Sequence, residues 1–202
     1  NEVTRVRENG LFRLEKYKEA GGEFLISDVQ SKLIHFDSVK GRFEYLVAKD
    51  FYYPYVLKQY TMEQIETLSS KVYFFDFKFL SYMAISKFYK DYALRTDDKK
   101  FYIETYEDRI LIVALYLGQG DIRKATRTAI SMIEQRFQPA TPTFLNAGRS
   151  RRGEMVSCFL LEMDDSLNSI NFNINTSGQL SKIGGGVAIN LSKLRARGED
   201  IN

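Results

Sequence analysis

Cys158 is the single cysteine of the chain and sits in "EMVSCFLLEMDDSLNSI", flanked by Ser157 and an apolar run. A reactive thiol needs exposure and a depressed pKa, and sequence displays neither. The competing reading is a small packed hydrophobe, the usual fate of a free cysteine. Two features favour reactivity: Ser157 places a polar neighbour on the opposite strand face, and the flanking loops are rich in Gly, Pro and Arg, as at a strand-edge site. "KIGGGVAIN" follows, and its glycines would let backbone approach a ligand closely. They equally suit a helix C-cap and tight turn. The run is neither a G-x-G-x-x-G fingerprint nor a P-loop. Arg149, Arg151 and Arg152, and later Arg195 and Arg197, could grip phosphates bidentately or form a solvated face. Asp164 and Asp165 could act as paired carboxylates, although a helix cap explains at least one of them. His35, the one histidine, reads as packing and argues against a histidine-built metal site.

The elements that must position these residues fall into two stretches that change character near Pro139. Residues 1–138 read as about six helices joined by short loops. "LFRLEKYKEAGGEFL" has helical spacing and breaks at Gly21-Gly22. "DSVKGRFEYLVAKD" follows a cap at Asp37 or Ser38, and Thr61 with Gln64 makes a capping-box pattern. "FKFLSYMAISKFYKDYAL" stacks Leu80, Met83, Ala84, Phe88 and Tyr92. Thr105 opens a helix that stops at Gly118. Asp121 caps another that aligns Ile122, Ala125, Ala129, Ile133 and Phe137. From 139 onward, "QPATPTFLNAGRSRRG" reads as loop. "EMVSCFLLEM" reads as a buried strand. "DDSLNSINFNINTSGQLSKI" reads as a helix capped by Asp165. Its stripe of Leu167, Ile170 and Ile174 continues in the small residues Ser177, Gly178 and Ser181, which permit close helix approach. A strand at Val187 to Asn190 completes one strand-helix-strand unit. One such unit closes neither sheet nor barrel, so the second domain, 139–202, is expected to continue beyond this sequence.

Composition bounds the class. At 44% hydrophobic and 27% charged, 202 residues can build a real core. A net charge of +3 is too balanced for a dedicated nucleic-acid binder. No apolar run approaches the roughly 18 residues that span a bilayer, and the charged start "NEVTRVRENG" does not read as a secretory signal. A single cysteine excludes an internal disulfide framework and makes a reducing cytoplasm the expected location. Tyrosine and phenylalanine must supply the aromatic core, since tryptophan is lacking.

Three ordered segments, "QPATPTFLNAGR", "RRGEMVSCFLLEMDDSLNSI" and "LSKIGGGVAINLSKLRARG", together resemble the large catalytic subunit of class I ribonucleotide reductase, closest to class Ib. The resemblance is dense over residues 138–198. It extends more loosely through "FKFLSYMAISKFYKDYALRTDD" and "YEDRILIVALYLGQGD". It implies an α+β chain: a helical N-terminal domain, then the first strand-helix-strand elements of a ten-stranded α/β barrel. It implies replacement of the 2′-hydroxyl of a ribonucleoside diphosphate by hydrogen. A thiyl radical takes the 3′ hydrogen, and a cysteine pair supplies the electrons and becomes a disulfide.

By the same resemblance, Cys158 is one member of that pair, and Thr141, Ser157 and Gly186 contact substrate with it. Asp165, Ser166 and Leu167 would hold the base and sugar of an allosteric nucleoside triphosphate, dNTP or ATP, with Arg195 on its phosphates. The helix from Ser166 would belong to a homodimer interface. Implied partners are the radical-generating small subunit, which carries the dinuclear metal or radical cofactor, a thioredoxin- or glutaredoxin-like reductant, and the remaining barrel segment. No metal and no covalently bound cofactor is expected on this chain, and neither nucleic acid nor membrane as a partner. The thiyl-forming cysteine, the second redox cysteine and the radical-relay tyrosines would lie beyond Asn202. "NFNINTSG" and the alanine of "GGGVAIN" depart from the family pattern, and the N-terminus is short for a full ATP-cone. The alternative is a non-catalytic nucleotide-binding or assembly module derived from that subunit.

Overall fold

A computed structural model describes residues 29, 31–79, 81–151 and 153–199. The helix expected around residues 11–25 lies outside them. The chain divides into two compact units, 1–153 and 154–202.

The first unit is helical: α1 (Val39–Ala48), α2 (Pro54–Lys58), α3 (Met62–Phe74), α4 (Tyr82–Lys87), a π-helical turn (Phe88–Tyr92), α5 (Tyr106–Gly118), α6 (Ile122–Ile133) and α7 (Thr141–Asn146). Its starts follow local chemistry. Ser38 caps α1 by accepting from Gly41 N. Thr61 with Gln64, and Thr105 with Asp108, form reciprocal capping boxes on α3 and α5. Asp121 accepts from Arg123 N and Lys124 N at α6. Helix α5 is the centre, with Ile110 through Leu115 all fully buried. It packs against α3, α6 and α7, and a segment apolar on every side, as Ile110 to Leu115 is, has to be enclosed. Beside it an aromatic cluster takes the place of tryptophan. Phe77 stacks on Tyr106 at 4.4 Å between centroids, and Phe79 and Phe88 each lie 5.3 Å from the same ring.

Four sequence expectations change here. Of the stripe drawn through Leu80, Met83, Ala84, Phe88 and Tyr92, Leu80 lies outside the described residues, Phe88 is buried as expected, and Met83 and Ala84 are exposed, with Ile85 and Tyr89 facing the core in their place. The π turn, closed by Ala93 N donating to Phe88 O at 2.8 Å, inserts an extra residue and shifts the helical phase. Phe137 lies past the end of α6 and is exposed. The stretch expected as loop after Pro139 contains α7, with Pro142 in its first turn, where a missing N–H costs nothing. Phe144 of α7 is buried on the helical unit, so the first unit runs to Gly153, whereas the composition shift places the boundary after residue 138.

The second unit is β1 (Cys158–Glu162), α8 (Leu167–Lys182) and β2 (Gly186–Asn190), with the strands parallel and Cys158 paired to Gly186. The strand expected to be buried is instead one-sided: Cys158, Leu160 and Glu162 are exposed, while Phe159 and Leu161 are half-buried. With α8 as its one packed layer, a two-stranded sheet covers alternate residues and no more. Asp165 is not the cap of α8. Ser166 is, accepting from Ser169 N. The inner face of α8 also differs from the aliphatic stripe. Leu167 and Ile174 are 66% and 60% exposed, whereas Asn173 is 3% exposed and donates to Ser169 O at 2.9 Å and Glu162 O at 3.4 Å. The asparagines of "NFNINTSG" thus include the residue that ties the helix to β1. No helix among the described residues is long and apolar enough to cross a membrane.

Candidate active and effector sites

Cys158 opens β1 as a free, exposed thiol. Strand alternation sends Phe159 toward Gly185 and Cys158 to the other face. Gly186 opens β2 directly opposite, and its N–H donates to Ser157 O at 2.6 Å. The Ser157 hydroxyl is 3.9 Å from the Cys158 sulfur. Three of the four expected substrate residues therefore meet at the N-terminal ends of two adjacent strands. The glycine run makes this possible. Gly184 has φ +89° just past the α8 C-cap, and a Cβ at Gly185 would come within 2.7 Å of the Phe159 ring and 2.9 Å of the Leu180 carbonyl. A thiol, a hydroxyl and a glycine backbone on one open strand edge can present a redox group to a polyhydroxylated ligand.

Thr141, the fourth, opens α7 in the helical unit, where its hydroxyl lies 3.1 Å from that of Tyr92. Both line a cavity of about 650 Å³ walled by Phe77, Phe79, Tyr106 and Phe144.

The expected effector residues also cluster. Arg195 Nε donates to Asp165 Oδ2 at 2.7 Å beside the N-terminus of α8, which Ser166 caps, and Leu167 stands exposed next to them. Sequence reasoning missed Lys193, which pairs with Asp164 at 3.0 Å and Glu162 at 3.3 Å. Its spacing of two from Arg195 was the available signal. Asp164 and Asp165 thus each hold a separate cation and do not form a carboxylate pair. The N-terminus of the sixteen-residue α8 is thus ringed by Lys193 and Arg195, both paired with carboxylates, and an anion would have to take these cations from Asp164, Asp165 and Glu162.

Arg149 is not a surface phosphate ligand. It is 8% exposed and donates to Glu104 Oε2 at 2.8 Å. Glu104, fully buried, also accepts from Arg109 at 3.1 Å, Tyr52 OH at 2.8 Å and Leu94 N at 3.0 Å. Burial alone would push its carboxyl up, but Arg109 and Arg149 together outweigh that and hold it below its usual value. Arg151 pairs with Asp50 and Asp97. Among the described residues no group of three His, Cys, Asp or Glu is placed to hold a metal.

A second cavity, about 580 Å³, is lined by His35, Arg42, Tyr73, Thr105, Glu107 and Asp108. His35 is exposed on it and not packed in the core. Arg42 and Asp108 form a buried ion pair that Tyr73 also joins. Glu107 is 6% exposed, and burial pushes its carboxyl from 4.5 up to about 7. The folded protein therefore keeps a proton at Glu107 that the unfolded chain releases, and stability falls as pH rises from 4.5 through about 7. Glu107→Gln is expected to be more stable than the parent above pH 7, by up to about 3 kcal/mol. The advantage should vanish below pH 4.5, the unfolded value. Urea unfolding across that range is the check, and a difference independent of pH would refute the assignment.

Comparison with known families matches this architecture. Residues 1–77 match the ribonucleotide reductase N-terminal model, residues 78–152 the ribonucleotide reductase all-alpha domain, and residues 156–202 the ribonucleotide reductase barrel domain. Over 201 residues, all of this chain, it is 49% identical to ribonucleoside-diphosphate reductase NrdEB subunit alpha of Bacillus subtilis strain 168, of which it covers 18%. It is 48% identical over 201 residues to ribonucleoside-diphosphate reductase subunit alpha of the same organism, covering 29%. Against the corresponding subunit of Mycoplasma genitalium the identity is 44% over 183 residues, 91% of this chain and 25% of that one. The chain belongs to the ribonucleotide reductase family, as an N-terminal portion of the large, alpha subunit. Helical N-terminal and all-alpha segments lead into the start of the barrel, which the β1-α8-β2 unit forms.

Proposed function

We propose that this chain supplies one face of the active site of a ribonucleoside-diphosphate reductase and one of its allosteric sites. Cys158 is half of the reducing pair. As the 2′-hydroxyl leaves as water, two thiols give up two electrons and two protons, and a disulfide forms. Ser157, Gly186 and Thr141 hold the substrate. The pairing of Cys158 with Gly186 at the start of two parallel strands, with Ser157 bonded across, is the observation that carries this reading.

Asp165, Ser166, Leu167 and Arg195 take a nucleoside triphosphate effector, with Lys193 beside them. The exposed face of α8, where Leu167, Ile174, Gly178 and Ser181 align, supports a homodimer contact. The small subunit with its metal or radical cofactor, the remaining barrel and a thioredoxin- or glutaredoxin-like reductant complete the enzyme, in the cytoplasm. The test is reconstitution: this chain with the remaining barrel, the small subunit, an effector and a dithiol. Formation of deoxyribonucleoside diphosphate is expected. Nucleotide-dependent dimerisation without product would favour a non-catalytic assembly module.

A further inference from the structure

We propose that Tyr92 is a positioning residue for the substrate loop, donating its phenol proton to Thr141 and so aiming the Thr141 hydroxyl at a substrate oxygen. This rests on the reading that Thr141 contacts the diphosphate substrate. The geometry starts with the π turn. It buries Phe88 and Tyr89 in the aromatic cluster and leaves Tyr92, at its end, half-exposed toward α7. Three different groups of Tyr92 then meet the segment 141–149. Its hydroxyl is 3.1 Å from Thr141 Oγ1. Its ring packs on Phe144 at 5.6 Å between centroids. Its carbonyl accepts from Arg149, which Glu104 anchors from the core. The start, middle and end of the segment are thus referred to one residue, and π turns of this kind recur where a side chain is re-aimed at a functional site.

A threonine hydroxyl has one proton and two lone pairs. If Tyr92 donates to it, the Thr141 proton is left for an external acceptor, such as a phosphate oxygen. Without the phenol the hydroxyl can rotate to other partners, and substrate binding loses orientation while the chemical step keeps its groups.

The experiment compares Tyr92→Phe, Thr141→Val and the double variant in the reconstituted enzyme, with KM for the ribonucleoside diphosphate and kcat measured separately. Tyr92→Phe is expected to raise KM about threefold to tenfold with kcat nearly unchanged, the scale of one oriented hydrogen bond. Thr141→Val should raise KM at least as much, and the double variant no further than Thr141→Val alone. If Thr141→Val leaves KM unchanged, the substrate role of Thr141 fails and takes this proposal with it. If Thr141→Val raises KM but Tyr92→Phe does not, or if the two effects multiply, the positioning role alone is overturned.

Discussion

Cys158→Ser is expected to abolish multiple-turnover reduction in the reconstituted enzyme, by roughly a thousandfold or more, the scale on which loss of a covalently acting group is felt. Serine keeps the size and the strand but cannot share a disulfide, so the two electrons that the reaction consumes have no donor. The fold should not register the change. Cys158 is exposed, and its pairing with Gly186 runs through main chain alone. Unfolding free energy should therefore stay within about 0.5 kcal/mol of the parent. Deoxyribonucleoside diphosphate formed per large subunit, with a dithiol as reductant, is the measurement. Turnover at the parental rate would remove Cys158 from the redox pair.

Glu104→Ala acts on the fold and not on the chemistry. It would leave the guanidinium of Arg109, fully buried, and that of Arg149 without their shared counter-charge. Breaking a buried pair from one side costs about 3–5 kcal/mol, because the remaining charge stays desolvated. Against a typical total of about 5–15 kcal/mol, this should bring the helical unit close to unfolding. Arg109 already feels the burial, which pulls its pKa down to about 10. The pH dependence carries a second signature. The Glu104 carboxyl is held below its usual value in the folded state, so its contribution is complete above the unfolded carboxylate pKa and is lost as pH falls through the lower folded one. Glu104→Ala should lose that acid dependence along with the stability. Urea denaturation of parent and variant at neutral and acid pH decides it, and a loss under about 1 kcal/mol would show that the cluster stabilises little.

Helix caps are legible in the sequence because their chemistry is local. Ser38, Thr61, Thr105 and Asp121 each satisfy N–H groups two or three residues away, and that chemistry is complete within a few positions of sequence. The turn at the glycines is legible for the same reason, whereas the strand read over "EMVSCFLLEM" is shorter in the structure, Cys158–Glu162. Errors arose where two local signals competed. Asp165 and Ser166 are both capping residues, and the choice fell to Ser166 with Asp165 bonded to Arg195, thirty positions later. The apolar run around Leu160 reads as buried, yet Leu160 is 84% exposed, because cover comes from layers and not from composition.

Sequence by itself thus determined the starts of α1, α3, α5 and α6, the class of the second unit and, through the ordered "ATPT", "SCF" and "GGG" motifs, the family. The tertiary structure alone decided which arginines are buried and which carboxylates they meet. It also decided that Tyr92 reaches Thr141. Caps and turns close over two to four residues, whereas Glu104 meets Arg149 across 45 positions and Tyr92 meets Thr141 across 49. No local pattern encodes a partner at that separation, since only packing of the intervening helices brings it within hydrogen-bond reach.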